Sequence, residues 1–107
     1  MKSIITVVFA GAASLALISP IFSQEMGDAK RGEELAKTVC AECHAVERDQ
    51  VGSRNRNAPR FQTLATTPGM TPMAFMVALR TSHREMPNFA LKNQEIDDLI
   101  AYFSTLK

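Results

Sequence analysis

The string Cys40-Ala41-Glu42-Cys43-His44 constrains this chain more than any other feature. It contains the only two cysteines, three positions apart, with a histidine directly after the second. Two thiols at that spacing near a helix end reach the two vinyl groups of one porphyrin. The histidine that follows is then held beneath the iron, where an imidazole nitrogen is a good axial ligand. A bare Cys-x-x-Cys also occurs in dithiol redox pairs and as half of a zinc site. Zinc needs further Cys or His ligands at regular spacing, and His83 alone remains. A thioredoxin-like role needs strands, and no strand-like alternation is present. The motif therefore predicts one covalently bound haem c, joined to Cys40 and Cys43, with its iron held by His44.

Such a cofactor answers a problem of size. The 107 residues suffice for one small domain. Lys2, an apolar or small run from Ile4 to Ile18, Pro20 and then Ser23 read as a secretory signal over residues 1–23. The apolar run is short for a bilayer span, so no stable membrane span is expected after cleavage. Residues 24–107 form the expected folded domain, in the periplasm. A domain that small buries little apolar area and usually needs a disulfide, a metal or a cofactor.

The remaining pattern is helical throughout. Residues 27–43 read as a helix capped by Asp28, with Leu35, Ala36 and Val39 on one face. Gly32 weakens that helix, which suggests close approach of another backbone or ring. Val46 to Arg60 has loop composition. A short helix is expected from Arg60 to Thr66, with Phe61 and Leu64 inward. Thr71-Pro72 starts a helix to about Thr81 that buries Phe75 and Leu79. After a loop from Ser82 to Lys92, Asn93 begins the last helix, with an apolar stripe of Ile96, Leu99, Ile100, Phe103 and Leu106. Its acids Glu95 and Asp97 are placed in the first turn, where the helix dipole favours them. The fold class is all-α, about four helices wrapped around one haem.

Candidates for the sixth iron position are Met70, Met73, Met76, Met86 and His83. The first three lie on or beside a helix, where methionine is usually core filler. His83 stands between Ser82 and Arg84 in what reads as exposed loop. Met86 is favoured because Pro87 stiffens the backbone beside it, so little entropy is lost on ligation.

These residues together make the chain resemble the class I c-type cytochromes over nearly all of residues 24–107. Gly27-Asp28 through Gly32 to His44 is similar to the family's first helix and haem motif. Met86-Pro87 is similar to the distal ligand loop of short bacterial members. The resemblance implies that Pro59 accepts a hydrogen bond from the second nitrogen of His44, and that Gly32 and Tyr102 meet where the first and last helices cross. The sequence departs from the family at Ala58 and Phe61, where Gly and Leu are common, and it has no Trp. The propionate contact a tryptophan would make passes to Arg54, Arg56 or Arg60, and a more exposed haem is expected.

Filled axial positions imply a one-electron carrier rather than an enzyme, working between redox protein partners. Residues 45–92 hold seven Lys and Arg against three acids, a net +4, which suits brief docking with acidic patches. Nothing resembles the dense basic stripe of a nucleic-acid binder. The alternative is a dedicated cytochrome subunit of a periplasmic dehydrogenase, such as one oxidising sulfite or an alcohol; Pro68, Met70, Met73 and Met76 would supply its apolar face. The protein is expected to be a monomer or such a small subunit. Gas-binding helical bundles carry Cys-x-x-Cys-His near the C-terminus, whereas here it lies near the start of the domain.

Overall fold

The computed structural model describes residues 27–81, 83 and 85–107, so the signal segment expected over residues 1–23 lies outside the described residues. Four α-helices follow in order: α1 (Ala29–Thr38), α2 (Phe61–Ala65), α3 (Pro72–Arg80) and α4 (Asn93–Ser104), with a 3-10 turn at Cys40–Glu42. Among the described residues there is no β-strand; one isolated bridge joins His83 and Met86. The fold is all-α, as expected.

Local chemistry sets most helix starts. The Asp28 side chain accepts hydrogen bonds from the Lys30 and Arg31 N–H groups, and that from Arg31 chiefly holds its carboxyl below the usual range. Thr71 caps α3 by accepting from the Ala74 N–H, with Pro72 at the first helical position. In α4 the Lys92 N–H donates to Glu95 at 2.7 Å.

Two expectations need correction. The first helix ends at Thr38 rather than Cys43. The Thr38 hydroxyl donates to the Glu34 and Leu35 carbonyls, and the chain tightens into the 3-10 turn that carries Cys40. In α4, Glu95 is the only acid of the first turn, because the helix begins at Asn93 and Asp97 falls a turn later.

The seam between α1 and α4 organises the molecule. A Cβ on Gly32 would lie 2.0 Å from the Asp98 carbonyl oxygen and 2.9 Å from the Tyr102 Cβ. A Cβ on Gly27 would lie 1.9 Å from the Asp97 oxygen. Only glycine lets the backbones approach this closely. Asp98, buried beside this contact, accepts from Arg31 Nε at 2.9 Å, Arg31 Nη2 at 3.1 Å, the Asp28 N–H at 2.7 Å and Gln94 Nε2 at 3.0 Å. Tyr102 donates to the Val46 carbonyl at 2.7 Å and ties the seam to the loop after the haem motif. Phe61, Phe75 and Phe103 complete the core, with Phe75 and Phe103 stacked at 4.0 Å.

Candidate functional site

The core does not close over the middle of the domain. Between the 3-10 turn and the loop after α3 lies a cavity of about 750 Å³, lined by Cys40, Cys43 and His44, by Phe61, Leu64, Phe75 and Leu79, and by Met70 and Met86. Left empty, a cleft of that size would expose Phe61, Leu64, Phe75 and Leu79 to water, which apolar side chains avoid. The fold is built to close around a large apolar group. Both thiols stand on its wall, and neither is in a disulfide. The donor set and the walls fit a covalently held haem.

The turn that presents these residues is locally determined. The Cys43 and His44 N–H groups both donate to the Cys40 carbonyl, at 3.1 and 2.9 Å. Burial pushes the Cys40 thiol up to about 11, so it stays a neutral thiol, unlike the reactive thiolate of a dithiol redox pair. His44 Nδ1 lies 2.7 Å from the Pro59 carbonyl oxygen. That contact places the proton on Nδ1 and leaves the Nε2 lone pair for a metal. The Phe61 ring sits 5.4 Å from the imidazole, tilted by 57°. A phenylalanine at this position therefore buttresses the histidine as well as filling core.

Loop 45–60 is pinned by its own bonds. The Ala45 N–H donates to Ser53 Oγ at 2.9 Å, the Asn55 N–H to the Cys43 carbonyl at 3.1 Å, and the Phe61 N–H to the Ala45 carbonyl at 2.9 Å. None of Arg54, Arg56 and Arg60 lines the cavity. Arg60 donates instead to the Gln50 carbonyl at 3.0 Å, and Arg54 pairs loosely with Glu42 at 4.0 Å. Asn55, Asn57 and Glu85, which sequence reasoning passed over as ordinary loop residues, are among the polar side chains lining the cavity.

Of the five sixth-ligand candidates, Met70, His83 and Met86 line the cavity, while Met73 and Met76 do not. Met70 also packs against the hydrophobic core; Met86 does not. His83 is exposed and joined to Met86 by the bridge that closes their turn. Among the described residues no helix is long and apolar enough to cross a membrane.

Comparison with known proteins agrees with this geometry. Residues 27–103 match the family described as cytochrome C oxidase, cbb3-type, subunit III. Cytochrome c-552 of Bradyrhizobium diazoefficiens is 33% identical over 93 residues, covering 87% of this chain and 88% of that protein. No solved structure matches the chain.

Proposed function

The chain belongs to the small bacterial c-type cytochromes, electron-transfer proteins with a covalently bound haem, and on that premise we propose a periplasmic one-electron carrier with His44 and Met86 as axial ligands. The observation that carries this reading is the cavity wall. Cys40, Cys43 and His44 stand on one part of it and Met86 on another, and Met86 has no place in the core to explain it. Residues 1–23 would direct export and be removed.

The haem supplies the one-electron chemistry when bound, and the protein supplies its setting. Cys40 and Cys43 fasten it. Pro59 fixes the tautomer and orientation of His44 through the 2.7 Å contact. Phe61, Phe75 and Leu79 line the cavity and would keep water from the group. A thioether from Met86 would favour the reduced ion and raise the potential. If His44 and Met86 both held the iron, no position would remain open for a substrate, which favours a carrier over an enzyme.

The reading as a dehydrogenase subunit has one observation in its favour. Met73 and Val77, four residues apart on α3, are 64% and 55% exposed. Co-purification from the periplasm at low salt separates a stable subunit from a mobile carrier.

The test of the carrier is the visible spectrum of the haem-loaded protein, oxidised, reduced, and reduced under carbon monoxide. A low-spin spectrum with the weak sulfur-to-iron band, unchanged by the gas, is expected. A high-spin or gas-sensitive spectrum would replace the carrier reading with a sensor or an enzyme.

A further inference from the structure

The turn that carries Met86 holds a backbone conformation its sequence does not favour. The Met86 N–H donates to the His83 carbonyl at 3.2 Å, closing a four-residue turn. Glu85, third of the four, has φ of 65°. That is the left-handed region, which glycine adopts freely and a side chain resists. A residue other than glycine persists there only where its surroundings over-determine it. At Glu85 those surroundings include a hydrogen bond between two cavity-lining side chains, from Asn57 Nδ2 to Glu85 Oε2 at 3.1 Å.

Asn57 is itself held from behind. Its N–H donates to Asn55 Oδ1 at 2.9 Å, and the Asn55 N–H donates to the Cys43 carbonyl. A run of bonds thus leads from the haem-attachment turn, through Asn55 and Asn57, to the residue directly before Met86. Among the described residues, Asn57–Glu85 is the only hydrogen bond between loop 45–60 and the turn 83–87. Both side chains line the cavity.

We propose that Asn57 and Glu85 form a latch that holds the Met86 turn in its ligating position and sets how readily the sixth iron position opens. This rests on Met86 being the sixth ligand. Neither latch residue is placed as an iron ligand; both are positioning residues. Loop 45–60 also carries Pro59, the partner of His44, so the latch couples the supports of the two axial ligands. Both residues are exposed, and water competes for their bond, so the latch tunes ligand exchange and does not abolish it.

The test uses the haem-loaded protein and reads the rate at which imidazole displaces the sixth ligand of the oxidised form. For a hydrogen bond to a carboxylate at an exposed site, Asn57→Ala and Glu85→Ala, which keeps a side chain at the left-handed position, should each raise that rate about tenfold. Coupled partners do not add, so the double variant should exceed neither by more than about twofold. Glu85→Gln keeps an accepting oxygen and should restore a rate within about threefold of the parent. A merely structural role would lower the unfolding midpoint and leave the exchange rate alone. Parental rates in both single variants would overturn the latch, as would a double variant equal to the product of the singles. Met86→Ala separates the two levels of the argument. If it retains the sulfur-to-iron band, the ligand assignment fails and the latch falls with it. If it loses the band while the latch variants exchange at the parental rate, the latch alone is wrong.

Discussion

Replacing Asp98 with asparagine should cost about 1–2 kcal/mol of stability at neutral pH and almost nothing in strong acid. The carboxylate accepts four hydrogen bonds, and its side chain is 6% exposed. The Arg31 guanidinium is the main cause that holds its pKa at about 2, against an ordinary 3.8; burial opposes this, and the Asp28 N–H and Gln94 amide assist. Because the folded value lies below the unfolded one, the contribution is fully present above the unfolded pKa. It is lost as the pH falls through the folded pKa. The gap between the two corresponds to about 2 kcal/mol. The Arg31 side chain is 58% exposed, so water screens part of that, which gives the lower end of the range. Asparagine is nearly isosteric and opens no cavity, but it offers one accepting oxygen in place of two. Denaturant unfolding of the two haem-loaded proteins, followed by circular dichroism from neutral pH down to about pH 2, measures the difference. Parent and variant carry the same haem and the same residues around it, so those contributions cancel in the difference between them. A stability difference independent of pH across that range would refute the electrostatic argument and leave shape alone to hold the seam.

Gly32→Ala should lower stability by about 3 kcal/mol, since its Cβ would stand 2.0 Å from the Asp98 oxygen. A gain of about 1 kcal/mol in denaturant unfolding, as helix propensity alone gives, would show that the helices can part. Tyr102→Phe removes the phenol that donates to the buried Val46 carbonyl and should cost about 1–2 kcal/mol in the same assay. Met86→Ala should let the reduced protein bind carbon monoxide and should lower its reduction potential, while haem staining of the denatured chain persists. Unchanged ligation would move the sixth ligand to Met70 or His83, which also line the cavity.

What was legible in the sequence was whatever depends on neighbours in the chain. Asp28 and the Thr71-Pro72 pair mark helix starts because capping is a matter of three or four residues. The stripe Ile96, Leu99, Phe103 and Leu106 is buried as its spacing predicts. The crossing of Gly32 with Tyr102 followed from family resemblance and not from periodicity. Contacts between distant segments were less legible. Asp98 has no signal of its own in the sequence, although its place four residues before Tyr102 puts it on the helix face toward Gly32. The loop arginines are offered for the propionate contact that a tryptophan would make; none lines the cavity, whereas Asn55, Asn57 and Glu85 do. Glu85 carries no signal at all, since a left-handed residue is announced in sequence mainly by glycine or asparagine.

The seam between α1 and α4 bears on the order of events in maturation. Its hydrogen bonds join residues 67 and 70 positions apart, so the partner of the first helix is made well after it. A ten-residue helix with a glycine in its middle is not stable on its own. Until α4 docks, the stretch leading to Cys40 and Cys43 is therefore pliable, which would ease the approach of both thiols to a porphyrin. Once α4 docks, that freedom ends. If the proposed attachment at Cys40 and Cys43 holds, it would meet less resistance in the open chain than in the closed fold.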